Sequence, residues 1–294
     1  MKKIIAIILA IAAPVCIFSS CSLKLDLNAV AIKYKEVEGG LVVSGYTDKT
    51  MNTDIVIPDE VDGKPVVAVL DFGICNAESL VKITIGKNVK AIGTWAFTNN
   101  QHLREFAVDP ANENFTAKDG ILFTKDMTEL CFYPCGRNIN FDKYGRPETE
   151  KVINEETGKE EEITVTTTYE IPDGVKVIRS KAFYKCYYVN VTKFPDSIER
   201  IEEKAFHRTS ALENFKMPAN LTYIGKDAFA YDDRLTELTI PSKIKEIGEY
   251  AFFYCTGMEK LTVDAKESDL ILGTKWQPTD KGKISDKCEV IFTK

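Results

Sequence analysis

Cysteine, histidine and acidic side chains are the groups that could do chemistry in this chain, and they are sparse. There are eight Cys and two His in 294 residues. His102 and His207 lie far apart on polar stretches, without the clustered His or Cys ligands that a zinc site needs, so both are expected to be solvated. Cys131 and Cys135 flank Phe132-Tyr133-Pro134. An extended chain would hold them ~13 Å apart, so a bridge or a shared metal needs a turn there. Cys75 and Cys288 have no evident partner. Asp232-Asp233 is a lone acidic pair, far short of a calcium loop. Neither a nucleophile elbow nor a phosphate loop is found. Asn114, Asn190 and Asn220 head Asn-x-Ser/Thr sequons. The expectation is a chain with no catalytic residues, no metal and no cofactor.

One cysteine has a clearer chemistry. Lys2 and Lys3 precede an apolar stretch from Ile4 to Phe18, which is too short to span a membrane and right for a signal peptide. It ends in Phe18-Ser19-Ser20-Cys21. Two small residues before a cysteine resemble a bacterial lipobox, in which the cysteine is acylated and becomes the new N-terminus. The spacing therefore predicts cleavage of residues 1–20 and a membrane anchor of acyl chains at Cys21. Cys16 is a worse candidate, because Val15 before it is not small. In such a lipoprotein the three sequons would be unmodified.

Composition narrows the partners. The chain is 44% hydrophobic and 28% charged, with a net charge of -6. Without residues 1–20 it holds 36 basic and 44 acidic residues, net -8. Seven Glu and two Lys between Glu148 and Glu162 carry most of that excess. No basic stripe is left for a nucleic acid.

The architecture follows from internal repeats. Four segments align without gaps, starting at Ile171, Phe194, Met217 and Ile240. Pro172, Pro195, Pro218 and Pro241 recur every 23 residues, and so do Ala182-Phe183, Ala205-Phe206, Ala228-Phe229 and Ala251-Phe252. Ile92-Gly93…Ala96-Phe97 is an upstream unit, and Val69…Gly73-Ile74 a degenerate one. Leu238-Thr239-Ile240 alternates as a strand does, and Pro241 stops it. Such a unit cannot bury its own apolar residues, whereas stacked copies can. The phenylalanines at 97, 183, 206, 229 and 252 are expected to form one internal column, each contributing ~1.5–3 kcal/mol on burial. Three residues after the Phe come Asn100, Cys186, Thr209, Asp232 and Cys255, small or polar groups suited to satisfying backbone at an inward turn. Cys186 and Cys255 lie three repeats apart, or ~14 Å, too far for a disulfide.

This skeleton resembles the BspA-like family of bacterial leucine-rich-repeat surface proteins, from about Tyr34 onward. Val56-Ile57-Pro58 with Asp62-Gly63-Lys64-Pro65-Val66 is similar to that family's opening unit. Asn112-Glu113-Asn114-Phe115…Asp119-Gly120-Ile121-Leu122-Phe123…Tyr133-Pro134 is similar to its hairpin insertion. Residues 137–170 are longer than the family's usual return, and Thr209 and Asp232 stand where Cys is typical. The resemblance implies a β-rich solenoid of the leucine-rich-repeat type, with ~23-residue repeats, β-hairpin insertions and terminal caps. It also implies cell-surface display, and adhesion or host-protein binding for some members.

The expected organisation is a signal peptide over 1–20, an acylated N-terminus and cap over 21–54, a solenoid over 55–263 with an insertion over 109–170, and a C-terminal cap over 264–294. Glu148 to Thr168 should form an outward hairpin or loop, outside the stack. Two surfaces could bind a partner. The outward strand stripe offers Lys193, Lys216, Thr239 and Thr262, with Thr84 and Ala107 at equivalent places. The turn surface offers Tyr187, Tyr188, Tyr231 and Tyr254, with Tyr184 and Phe253. Both have a plainer reading, as a polar strand face and as packing between turns. The functional expectation is a non-catalytic, adhesin-like module on the bacterial outer membrane or cell surface, or facing the periplasm, with an unknown protein or glycoprotein ligand. The alternative is a structural or assembly component of the envelope with no host ligand.

Overall fold

The computed structural model describes residues 5–6, 31–47, 54–77, 79–142, 145–154, 157–280, 283–284 and 287–294. The expected cleavage site and Cys21 lie outside them. Of the expected leader only Ile5–Ala6 is described, a short strand beside Lys33 and Tyr34.

The repeats fold as a β-solenoid. Val177–Ile178, Arg200–Ile201, Tyr223–Ile224, Glu246–Ile247 and Ile271–Leu272 are two-residue strands that pair in parallel one above the next, below the four-residue Glu129–Phe132. A second series lies after the Leu-rich stretch of each repeat. Its longer strands form three parallel groups: Asp54–Ile57, Lys82–Ile85 and Glu105–Val108; Thr167–Glu170 with Val189–Lys193; and Glu237–Ile240, Lys260–Val263 and Glu289–Phe292. The Ala-Phe turns add a third run of bonds. The Phe183, Phe206 and Phe229 amides donate to the carbonyls of Ala205, Ala228 and Ala251 at 2.7, 2.8 and 2.8 Å.

These turns demand an unusual backbone. Lys181, Lys204, Asp227 and Tyr250, just before each Ala-Phe pair, have φ of 64, 56, 53 and 56°. So do Lys185, Arg208, Tyr231 and Tyr254 four residues on, at 58, 59, 66 and 57°. Left-handed backbone costs a non-glycine residue about 1–2 kcal/mol. The stack offsets this cost by bonding most of these amides to the next repeat, as Lys204 to Lys226 at 2.9 Å and Tyr231 to Phe253 at 2.8 Å.

The aromatic column is present but begins elsewhere than expected. Phe183, Phe206, Phe229 and Phe252 are fully buried and stack with centroid spacings of 4.8, 5.3 and 5.4 Å. Tyr133, stacked on Phe183 at 4.9 Å, stands at its head. Phe97 is not a member. It packs against Phe106 and Phe132, both at 5.3 Å, in a separate core. The insertion explains the break. Its strands Phe115–Lys118, Ile121–Thr124 and Glu129–Phe132 form an antiparallel sheet. Alternation sends Ile121 and Phe123 into one core with Leu130, and Leu122 into the other; a register shift opposite Leu122 and Phe123 lets the consecutive Cys131 and Phe132 both join the latter.

The charged excursion is a hairpin, as expected: Thr149–Ile153 pairs with Glu160–Thr164, and Ile153 is 62% exposed. Its expected end needs correction. Thr167 and Thr168 belong to a strand that pairs with Val189 and Asn190, so the stack resumes before residue 168. Likewise Glu129–Phe132, within the expected insertion, heads the longest parallel ladder.

Candidate functional site

The turn position three residues after each Phe does what its residue types suggest. Asn100 donates to the carbonyls of Ile74 and Phe97 at 2.8 and 3.0 Å and accepts from the Ala77 amide at 2.9 Å. Thr209 donates to Phe183 and Phe206, and the Cys255 thiol to Phe229 at 3.0 Å. Asp232 is wholly buried. Its Oδ1 accepts the Thr209 amide at 2.7 Å, and its Oδ2 has no donor among the described residues. Burial raises its carboxyl well above the usual range.

Cys186 departs from this pattern. It forms a disulfide with Cys135, with Cα atoms 4.6 Å apart. The bond ties the end of the insertion to the first gap-free repeat, at the point where Tyr133 stacks on Phe183. Cys131 is a buried free thiol pointing into the other core.

His207 is buried rather than solvated. It stacks on Tyr184 at 5.3 Å, and its Nδ1 has no partner among the described residues. Desolvation first, then Lys204, Arg208 and Lys185, lower its pKa to about 4, so it is neutral at pH 7. His102 packs edge-on against Phe141 at 4.4 Å. No group of three or more His, Cys, Asp or Glu is placed to hold a metal among the described residues.

The turn-face aromatics form a mutual ladder. Phe72 stacks on Trp95, Trp95 meets Tyr184, and Tyr184, His207 and Tyr231 follow at 5.3 Å steps. Tyr231 stacks on Tyr254 at 5.2 Å, and Tyr187 and Tyr188 touch each other at 6.1 Å. Tyr187, Tyr188, Tyr231 and Tyr254 are all half-buried. Cations cover several ring faces, as Lys181 over Trp95 at 4.2 Å and Arg208 over Tyr231 at 4.7 Å. Little ring face is left for a ligand here.

The strand stripe is more open. Lys193, Lys216 and Thr239 are exposed and Thr262 is half-buried, as are Thr84 and Ala107 further up. Lys216, Thr239 and Thr262 come together on a groove of about 680 Å³, with Phe215, Met217 and Leu238 on its wall. Lys193 lies outside it, beside Asp173 at 3.3 Å. Asp264 also lines it. The Thr293 hydroxyl at 2.8 Å and the Lys294 amine at 3.2 Å hold its carboxyl below the usual range. A smaller groove of about 400 Å³ occupies the equivalent place in the first strand group, with Pro58, Thr84 and Pro110. Sequence reasoning missed Asn214 and Phe215. The one signal was Phe215 standing where later repeats have Leu238 and Leu261.

The chain is similar in fold to the pneumococcal vaccine antigen PcpA, at 19% identity and a TM-score of 0.58, over 84% of this chain and 69% of that one. It is also similar to a leucine rich cell surface protein from Faecalibacterium prausnitzii, at 19% identity and a TM-score of 0.43, over 92% and 78%. A leucine-rich-repeat protein from Eubacterium ventriosum matches at 15% and 0.46, over 84% and 82%. No curated protein matches. The model of the BspA type leucine rich repeat region matches six copies over residues 66–134 and 161–270. With more than half of its length so matched, and with the parallel ladders and Phe column that those copies build, the chain belongs to the BspA-type leucine-rich-repeat family.

Proposed function

We propose that this protein is a non-catalytic, adhesin-like module that binds a protein or glycoprotein at the bacterial cell surface, anchored by acyl chains on Cys21. The observation that carries the reading is the groove on the strand face, where Lys216, Thr239 and Thr262 converge. Solenoids present such faces as broad sites for proteins. The Cys135–Cys186 disulfide supports a place outside the cytoplasm, because disulfides persist in oxidising compartments. No helix among the described residues is long and apolar enough to cross a membrane. Acylation at Cys21 would supply the attachment, with a second acyl chain or signal making it stable.

Labelling of cells with a palmitate analogue, followed by protease treatment of intact cells, tests the reading. The wild type should carry label and be digested from outside, and Cys21→Ala should carry none. Undiminished label in Cys21→Ala, or full protection of the wild type, would contradict it.

A further inference from the structure

The Cys135–Cys186 bond lies at the seam between the two cores. Phe97, Phe106 and Phe132 belong to one core, and Tyr133 and Phe183 to the other. The consecutive Phe132 and Tyr133 thus face one core each, and Cys135 follows just after them. Non-covalent contacts hold the seam as well. The Tyr133 amide donates to the Ala182 carbonyl and the Gly136 amide to the Leu103 carbonyl, both at 2.8 Å. Lys185 reaches Asn99 at 3.2 Å, and Lys181 covers the Trp95 ring at 4.2 Å.

Each sulfur also has a place as a thiol. Cys186 occupies the turn position that Thr209 and Cys255 fill in later repeats. There the Cys255 thiol donates to the Phe229 carbonyl, one step up the column, at 3.0 Å. Cys255 is free and fully buried, so this turn accepts a reduced cysteine. The Cys186 sulfur stands 3.8 Å from the corresponding acceptor, the Tyr133 carbonyl. The Cys135 sulfur stands 3.7 Å from the Tyr184 carbonyl. Thiol hydrogens on both would meet acceptors already in place, so reduction leaves no buried donor unpaired. The two sulfurs differ in access. Cys186 has no exposed surface, whereas Cys135 is half-buried.

We propose that Cys135 and Cys186 form a reversible redox site that exchanges with a dithiol, and that its reduction loosens the seam between the two cores. The chemistry is thiol–disulfide exchange through a mixed disulfide. A thiolate of the reductant bonds to the Cys135 sulfur, the accessible one, and the Cys135–Cys186 bond breaks. Cys186 leaves as a thiolate, takes up a proton and donates it to the Tyr133 carbonyl. The second thiol of the reductant then attacks the reductant's own sulfur in the mixed disulfide. Cys135 leaves and is protonated in turn, and the reductant departs as a disulfide. Both protons and both electrons come from the dithiol. The reverse sequence, with a disulfide as oxidant, restores the link. The site is independent of the strand face and of its ligand.

The test equilibrates the purified full chain with mixtures of reduced and oxidised dithiothreitol and quantifies the 135–186 link by alkylation and peptide mapping. Conversion should be complete and reversible without denaturant. Both forms should show the same far-UV circular dichroism and a cooperative melt. Hydrogen exchange at the Tyr133 amide should be at least about tenfold faster in the reduced form, with the Phe206 amide unchanged. These readouts use the wild type alone. Cys186→Ser keeps a hydroxyl at the turn, as at Thr209, and leaves Cys135 without its partner. Glutathione disulfide should form a mixed disulfide with Cys135 in this variant, and should leave Cys186 unmodified in folded Cys135→Ser. A link that resists reduction until denaturant is added, unfolding on reduction, equal exchange at Tyr133 in the two forms, or modification of Cys186 ahead of Cys135 would each overturn the proposal.

Discussion

Asp232 accepts the backbone amide of Thr209 at 2.7 Å from a position with no exposure to solvent. Asn100 makes the same contact to Ala77 in an upstream repeat, and its amide nitrogen also donates to two carbonyls. A protonated Asp232 is the closest mimic of that asparagine, since Oδ2–H is then a donor where Oδ2 otherwise has no partner among the described residues.

Asp232→Asn should therefore stabilise the protein at neutral pH, by about 1–3 kcal/mol, the usual cost of an unsatisfied buried group. The sign follows from linkage. The folded-state pKa of Asp232 is raised by burial, so the folded state holds a proton that the unfolded state loses above about 3.9. Its contribution is fully present below that value and is lost as pH rises toward the folded pKa. Denaturant melts of both proteins at pH 3.5 and pH 7 should differ little at the lower pH and favour the variant at the higher.

The disulfide closes a loop of 51 residues. Constraining a loop of that size in the unfolded chain stabilises by about 4 kcal/mol in the chain-entropy model, and measured values run at about 2–4. Cys135→Ser should lower stability by that order. Non-reducing peptide mapping should recover the 135–186 link. A 186–255 link would break the repeat register, because Cys255 lies three repeats below Cys186.

Phe206 lies parallel to Phe229 within 1° and to Phe183 within 14°, with neighbours on both faces. Phe206→Ala should cost about 3–5 kcal/mol, the penalty of a large cavity that stacked repeats cannot collapse. Equilibrium unfolding measures it, and a loss under about 1 kcal/mol would mean that the column is not packed as described.

Much of this fold is legible in the sequence because 23-residue steps recur at several positions at once. Pro172 to Pro241 and Phe183 to Phe252 mark the turns and the core without any reference to distance. What the period cannot show is where it is interrupted. Tyr133, not Phe97, heads the column because a hairpin with its own period of two enters between them. The partner of Cys186 was hidden for the same reason, since Cys135 sits at the end of that hairpin, outside the repeat count. The left-handed Lys and Tyr residues carry no turn signature, because neighbouring repeats rather than residue type hold them there. At the candidate site the outward stripe is visible as alternation, but the groove beside it is not, because it depends on the packing of Phe215.

The central claim is that the strand face binds a protein partner. The most direct measurement is saturation binding of the fluorescently labelled full chain to the surface of candidate host or bacterial cells. It should compare wild type with a variant carrying Lys216→Glu, Thr239→Glu and Thr262→Glu. The account predicts saturable, protease-sensitive binding by the wild type and at least about a tenfold loss in the variant, with similar melting temperatures. Equal binding by the two proteins, or loss only when the turn-face residues Tyr187, Tyr188, Tyr231 and Tyr254 are replaced, would contradict it.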